Sequence, residues 1–82
     1  MRLAILGASG RMGRAVARLA VEAGDTIVGA AASPDAPEQG RDVGELAGVG
    51  NVGVAVGPDV AAALLGADVA IDFSTEIGRA HV

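Results

Sequence analysis

The 82-residue sequence contains no cysteine, tryptophan or tyrosine, and its only aromatic residue is Phe73. The absence of cysteine excludes a disulfide framework and a thiolate metal site. Small domains that fold alone usually reinforce a modest core with disulfides, a bound metal or large aromatic side chains. We therefore expect this chain to be a piece of a larger protein, with no metal site of its own.

Clustered positive charge and long apolar runs are also missing. The formal net charge is −4 at pH 7, which argues against a nucleic-acid partner. No apolar run approaches the ~18 residues of a membrane span, and the run at the N-terminus stops at Gly7, too early for a signal peptide. At 51% hydrophobic and 20% charged residues, the chain is not disordered by composition. We predict a cytoplasmic protein without a membrane partner.

The first third of the chain predicts a strand, a glycine turn, a helix and a second strand. Arg2–Leu6 is a short apolar run typical of a buried parallel strand, and Thr26–Ala32 is a second one. A helical pattern runs from Arg11 to about Ala23. Four apolar residues form its predicted buried face: Met12, Val16, Leu19 and Ala20. About 30 residues is the length of a βαβ crossover, so the two strands should be parallel neighbours.

The rest of the chain continues the alternation. We predict a loop over Ser33–Gly40, a helical turn over Asp42–Leu46, a third strand over Val52–Val56, a helix from Pro58 to about Leu65, and a fourth strand over Val69–Phe73. Alternating strands and helices favour the α/β class, an open parallel sheet flanked by helices. No domain boundary falls inside the chain.

Three glycines in the first turn carry the chemistry. Gly7, Gly10 and Gly13 follow a strand directly and open a helix, which is the setting of a dinucleotide-binding fingerprint in a Rossmann-type fold. In such a turn the first glycine permits the bend, the second lets a pyrophosphate approach the backbone, and the third allows close helix–strand packing. Arg11 adds a cation to the positive end of the helix dipole.

The second strand leaves the choice of nucleotide open. An NAD site usually has an acidic residue at the end of this strand to bind the ribose 2′-hydroxyl, but the sequence there reads Ala32, Ser33, Pro34. Without that acid a 2′-phosphate is tolerated, yet no arginine stands beside Ser33 to bind it unless Arg11 or Arg41 folds over it. We expect NADH or NADPH, with a slight preference for the phosphorylated form or dual use.

Three segments resemble dihydrodipicolinate reductase, the 4-hydroxy-tetrahydrodipicolinate reductase of bacterial lysine and diaminopimelate synthesis. They are the glycine turn from Gly7 to Arg14, the segment Gly40–Gly48, and the strand end from Ile71 to Ser74. The Arg-Met pair within the first segment is the most specific feature, because a general dinucleotide turn does not require it. The resemblance runs from about Arg2 to Thr75.

This resemblance implies an N-terminal Rossmann domain that binds NADH or NADPH. The expected cofactor-binding residues are Gly7, Ala8, Ser9, Gly10, Arg11, Met12, Gly13, Ser33, Phe73 and Ser74. It also implies hydride transfer to a cyclic dicarboxylic acid, in a homo-oligomer whose catalytic and substrate-binding residues lie in a second domain. Nothing in this chain matches those residues, and His81 receives no catalytic role. The family often has an acidic residue and then arginine where this sequence has Ser33 and Pro34.

Two other kinds of function fit the same glycine spacing. One is a different nicotinamide oxidoreductase, such as a semialdehyde dehydrogenase, which would need a catalytic cysteine further along, or an atypical short-chain reductase, which would need a Tyr-x-x-x-Lys pair. The other is a non-catalytic nucleotide-sensing module, whose gene would lack any proton-donor segment.

The run Glu76–Val82 departs from the family pattern, which has proline after the position of Thr75. One back-translation, GAG ATC GGA AGA GCA CAC GTC, matches a widely used short-read sequencing adaptor from its second base onward. We interpret residues 76–82 as adaptor read-through and residues 1–75 as part of a dinucleotide-binding domain whose C-terminal substrate domain is absent.

Overall fold

The computed structural model describes residues 1–73, so the predictions for Ser74 and for residues 76–82 lie outside the described part of the chain. The elements are β1 Arg2–Leu6, α1 Arg11–Glu22, β2 Thr26–Ala31, α2 Val43–Leu46, α3 Val60–Leu64 and β3 Val69–Asp72. The α/β class and the order of elements are as predicted, except for one strand. None of the helices within residues 1–73 has the length and apolar character needed to cross a bilayer.

The sheet is open and parallel, with the strand order β2-β1-β3. β1 is the central strand, and its residues from Leu3 to Leu6 are all buried. The pairing of β1 with β2 shifts by one residue between Leu3 and Ala4. This irregularity changes which side chains of β2 face each layer, so that Ile27 and Ala30 join the same core cluster.

Helices cover both faces of the sheet. The larger core cluster combines β1 and β2 with α1 and with Val43 of α2. A smaller cluster on α3 joins Ala63 to Leu6 and Ala31. Burial on both faces explains why β1 and β2 have almost no polar residues, as is typical of parallel strands. β3 lies at an edge of this sheet and is largely exposed.

The buried face of α1 differs from the predicted one. Gly13, Ala17 and Ala20 are buried, whereas Met12 and Leu19 have exposed fractions of 56% and 64%. At Gly13 the reason is distance, because a Cβ atom there would collide with the Gly7 carbonyl oxygen, while Ala17 and Ala20 pack in the core with residues of β1 and β2. The prediction weighted hydrophobicity over size and was wrong for the two largest apolar residues.

The predicted third strand, Val52–Val56, is not a strand of this sheet. The segment makes only isolated bridges, from Ala55 to Asp42 and from Gly57 to Ala31. Its backbone bonds mainly to the preceding loop, with Val56 N–H donating to the Arg41 carbonyl at 2.9 Å. These bonds use groups that a regular ladder would require, although Gly57 still docks beside the end of β2.

Asp42 organises the loop between β2 and α3. Its carboxylate accepts hydrogen bonds from the backbone N–H groups of Gly44, Glu45, Val52 and Val54, at 2.9 to 3.1 Å. Burial by itself raises the pKa of this carboxyl, but the N–H donors outweigh burial and hold the pKa below its ordinary value of 3.8. One side chain thus caps α2 and fixes the segment that follows it.

We expect Asp42→Ala to lower the free energy of unfolding by about 2 kcal/mol, because it removes a helix cap and leaves several N–H groups without an acceptor. A carboxyl with a lowered pKa in the folded state contributes stability that is complete above its ordinary pKa and is lost as the pH falls through the folded value. The difference between wild type and variant should therefore narrow below about pH 3.8. Urea unfolding at neutral and acidic pH measures both effects; an equal difference at both pH values would contradict this role.

Candidate functional site

A cavity of about 650 Å³ opens where the carboxyl ends of the strands meet the N-terminus of α1. Its lining consists of Leu6, Gly7, Ser9, Gly10, Arg11, Met12, Gly13, Ala31, Ala32, Ser33, Pro34, Pro58, Val60 and Phe73. The carboxyl edge of an open parallel sheet, where the strand order reverses about a central strand, is the usual ligand site of such folds. The volume lies within the ~300–1,000 Å³ range of small-molecule sites.

The turn after β1 forms the floor of this cavity. The N–H groups of Gly7 and Ala8 both donate to the Ala31 carbonyl, at 2.8 and 3.0 Å, which ties the turn to the end of β2. Gly7 has a φ of 79°, a left-handed conformation that favours glycine. On the other side of β1, Phe73 N–H donates to the Leu6 carbonyl at 2.7 Å. The ends of all three strands are thereby joined around one opening.

Within residues 1–73, the first N–H groups of α1 have no hydrogen-bond acceptor, and their residues line the cavity. The N-cap is Gly10, which offers no side-chain oxygen, and the first turn of α1 contains no acidic residue. The first helical bond closes from Arg14 N–H to the Gly10 carbonyl at 3.0 Å, so the N–H groups of Arg11, Met12 and Gly13 precede the helical ladder. Such a terminus attracts an anion through both its donors and its dipole.

Gly10 and Gly13 have different roles in this turn. A Cβ atom at Gly10 would meet only the Gly7 carbonyl oxygen, at 3.6 Å, which is ordinary contact. A Cβ atom at Gly13 would collide with that same oxygen and lie 2.9 Å from the Ala8 Cα. Gly13 therefore serves the packing of the helix, whereas Gly10 leaves the surface of the cavity open to a ligand.

Arg11 is the one charged residue in the lining that residues 1–73 provide. The ion pairs recorded within this part of the chain use Arg2, Arg14 and Arg18, so its guanidinium has no carboxylate partner there. An exposed, unpaired cation at a helix N-terminus adds to the attraction for an anionic ligand. The cavity is thus electrostatically suited to a phosphate.

The structure brings together most of the residues that the sequence singled out. Gly7, Ser9, Gly10, Arg11, Met12, Gly13, Ser33 and Phe73 all line the cavity. Ala8 does not, since its side chain is fully buried in the core and its N–H is engaged by β2. Ser74 lies beyond the described residues.

Sequence reasoning missed one wall of the cavity. Pro58 and Val60 lie at the start of α3 and contribute to the lining. The signal was present in part, because Asp59 is a recognisable N-cap residue that follows a segment ending beside β2. Parallel topology places such helix starts at the carboxyl edge of the sheet.

The loop after β2 folds back on the strand end and builds the opposite wall. The Gln39 side-chain amide donates to the carbonyls of Ala32 and Ser33, at 3.0 Å each. The neighbouring Glu38 forms an ion pair with Arg14 at 3.1 Å. This loop therefore contacts both β2 and α1 and fixes the position of Ser33 beside the glycine turn.

Comparison with known proteins points to one family. The family model described as "Dihydrodipicolinate reductase, N-terminus" matches residues 1–81. The chain is 47% identical over 75 residues to a 4-hydroxy-tetrahydrodipicolinate reductase of Trichlorobacter lovleyi, covering 92% of this chain and 28% of that protein. Identity is 51% over 74 residues with the reductase of Alkalilimnicola ehrlichii, covering 89% and 28%. It is 51% over 75 residues with that of Archaeoglobus fulgidus, covering 92% and 27%.

These matches agree with the structure in their extent and position. The chain spans about 28% of the length of the curated relatives named first, and the family model that covers it describes the N-terminal part of such proteins. The parallel sheet, the glycine turn and the cavity all lie within the matched residues. The chain belongs to the dihydrodipicolinate reductase family and corresponds to its N-terminal region.

Proposed function

We propose that this chain binds NADH or NADPH in the cavity at the carboxyl edge of the sheet, with the pyrophosphate on the N-terminus of α1. The observation that supports this most strongly is the uncapped helix end, where Gly10 provides no competing side chain and Arg11 provides a cation that has no ion-pair partner within residues 1–73. The pyrophosphate lies in the middle of a dinucleotide, and the positive N-terminus of α1 is part of the cavity lining.

The strand order suggests the direction of the bound dinucleotide. Ser33 follows β2 and Phe73 follows β3, on opposite sides of β1. Since the strand after the crossover helix normally contacts the adenosine ribose, the adenosine belongs near Ser33 and the nicotinamide near Phe73. The cofactor supplies the hydride when bound; the residues of this chain bind the pyrophosphate and place the nicotinamide beside Phe73. Pro58 follows Gly57, which bonds to the end of β2, and so lies on the adenosine side.

For the whole protein we propose the reduction of 4-hydroxy-tetrahydrodipicolinate to tetrahydrodipicolinate, as the names of the relatives indicate. The residues that bind this dicarboxylic substrate and donate a proton to it would belong to a part of the protein outside this chain. We place the protein in the cytoplasm, as a homo-oligomer without nucleic-acid or membrane partners.

Titration calorimetry of the chain with NADH and with NADPH tests the binding proposal. We expect saturable binding of at least one of the two, at one molecule per chain. Adenosine, which lacks the pyrophosphate, should bind far more weakly because it cannot use the N-terminus of α1. No heat of binding for either dinucleotide, from a chain shown by circular dichroism to be folded, would contradict the proposal.

We also propose that residues 1–75 are the gene-encoded part of this domain and that residues 76–82 are translated from a sequencing adaptor. The back-translation of this run supports the proposal. The alignments with relatives cover 74 to 80 residues and the family model matches residues 1–81, which include most of this run, so the source DNA is the deciding observation. Codons for Ile77 to Val82 that differ from the adaptor would refute the proposal.

A further inference from the structure

Within residues 1–73, the end of β2 has no acidic residue, but the loop that follows it brings Glu38 into an ion pair with Arg14 of α1 at 3.1 Å. We infer that Glu38, through its ion pair with Arg14, sets the preference of this site between a ribose 2′-hydroxyl and a 2′-phosphate. The inference rests on the proposed binding of NADH or NADPH. It assigns specificity to a residue that the strand pattern does not mark.

The backbone of the loop delivers Glu38 to this place. Ala36 N–H donates to the Ser33 carbonyl at 2.9 Å, and Gln39 N–H donates to the Ala36 carbonyl at 3.1 Å, which makes two successive turns. The Gln39 amide then closes the loop onto the strand end. Glu38 is thereby directed back toward α1, and its side chain is only 20% exposed.

Arg14 connects Glu38 to the wall of the cavity. Its Nε donates to the Ser9 carbonyl at 3.1 Å, while a terminal nitrogen bonds the Glu38 carboxylate at 3.1 Å. Ser9 and Ser33 line the cavity, whereas Arg14 and Glu38 are not among the lining residues. The pair is therefore connected to the proposed ribose site through the Ser9 carbonyl on one side and through Gln39, which bonds the Ser33 carbonyl, on the other.

The two charges oppose each other in their effect on a 2′-phosphate. The Arg14 guanidinium attracts the phosphate and the Glu38 carboxylate repels it, so the intact pair gives little net preference. Removal of the carboxylate charge alone would leave Arg14 uncompensated beside Ser9. Because a phosphate monoester carries a charge of about −1.5 to −2 at neutral pH, its binding should respond strongly, whereas a 2′-hydroxyl should not.

Glu38→Gln tests this inference, because glutamine keeps the size of the side chain and its oxygen can still accept from Arg14. We expect the affinity for NADPH relative to NADH to rise about three- to ten-fold, from the Coulomb energy of one charge near the site at an intermediate dielectric. The double variant Arg14→Gln with Glu38→Gln removes both charges and should return the ratio toward that of the wild type.

Glu22→Gln is a matched control. Glu22 pairs with Arg18 on the same helix at 3.2 Å and lies outside the cavity lining. Its substitution therefore changes the net charge by the same amount as Glu38→Gln, and we expect it to leave the ratio of NADPH to NADH affinity unchanged. Binding of both dinucleotides is measured by calorimetry, with circular dichroism to verify folding.

The outcomes separate this inference from the proposed function. A wild-type chain that binds neither dinucleotide would contradict the proposed function. A wild-type chain that binds them, with a ratio unchanged in Glu38→Gln or changed equally in Glu22→Gln, would overturn the role of Glu38 alone. A ratio that rises in Glu38→Gln and returns in the double variant is the result that supports it.

Discussion

Gly10→Asp is expected to weaken dinucleotide binding at least about 100-fold without unfolding the chain, a loss equivalent to about 2.7 kcal/mol. Gly10 has extended backbone angles, φ −78° and ψ 169°, and a Cβ atom there makes only ordinary contact. The fold therefore accepts a side chain at this position. Aspartate is also a favoured N-cap residue, so its carboxylate would accept from the same N–H groups that are proposed to bind the pyrophosphate.

This substitution should consequently raise the stability of the chain while it removes binding. An aspartate at the N-cap stabilises a helix by its hydrogen bonds and by its interaction with the dipole, together about 1 kcal/mol. Calorimetric titration measures the loss of affinity, and thermal unfolding measures the gain in stability. The two expected changes have opposite signs, since the affinity for the dinucleotide falls while the stability of the chain rises.

Two control variants separate charge from size. Gly10→Ala adds a methyl group without charge and should weaken binding much less than aspartate does. Leu19→Asp adds the same charge on α1 at a position that is 64% exposed and outside the lining, and it should leave the affinity within about two-fold, because exposed charges are screened by solvent and salt. Unchanged affinity in Gly10→Asp would show that the helix N-terminus does not bind the ligand.

Gly13→Ala, in contrast to Gly10→Asp, is expected to lower the stability of the chain, by about 3 kcal/mol, because of overpacking. The added methyl group would collide with the Gly7 carbonyl oxygen and lie 3.1 Å from the Gly7 carbonyl carbon. These atoms belong to the backbone of the turn, which is tied to β2 by hydrogen bonds. Relief of the collision requires α1 to move away from the sheet, which opens the core around Ala17 and Ala20.

Urea unfolding followed by circular dichroism measures this loss. Gly57→Ala is the matched control, because a Cβ atom at Gly57 meets nothing within 4 Å and should alter stability by no more than about 0.5 kcal/mol. A Gly13→Ala chain as stable as the wild type would contradict the close packing of α1 on the turn.

The sequence predicted the elements whose signals are local. The βαβ unit follows from an apolar run, a glycine turn and a helical repeat that are adjacent in the chain, and β1, α1 and β2 form as expected. The start of α3 follows from Asp59, whose carboxylate accepts from the N–H groups of Ala61 and Ala62. Each of these features depends on neighbours within a few residues.

The features that the sequence did not predict depend on distant contacts. The segment around Val56 has strand-like composition, but its hydrogen bonds go to the Arg41 region, 15 residues earlier in the chain. The buried face of α1 includes Ala17 and leaves out Met12 and Leu19, because it is set by packing in the core with residues of β1 and β2. The pairing of Glu38 with Arg14 requires a loop that folds back on itself, and no local pattern indicates this.

The central claim is that a nicotinamide dinucleotide binds at the glycine turn. Amide chemical-shift mapping by NMR during titration with NADH or NADPH tests it most directly. We predict progressive shifts for Gly10, Arg11 and Met12 and for Ser33, with no change at Glu22 on the far end of α1. Shifts confined to other parts of the chain, or none at saturating dinucleotide, would contradict the claim.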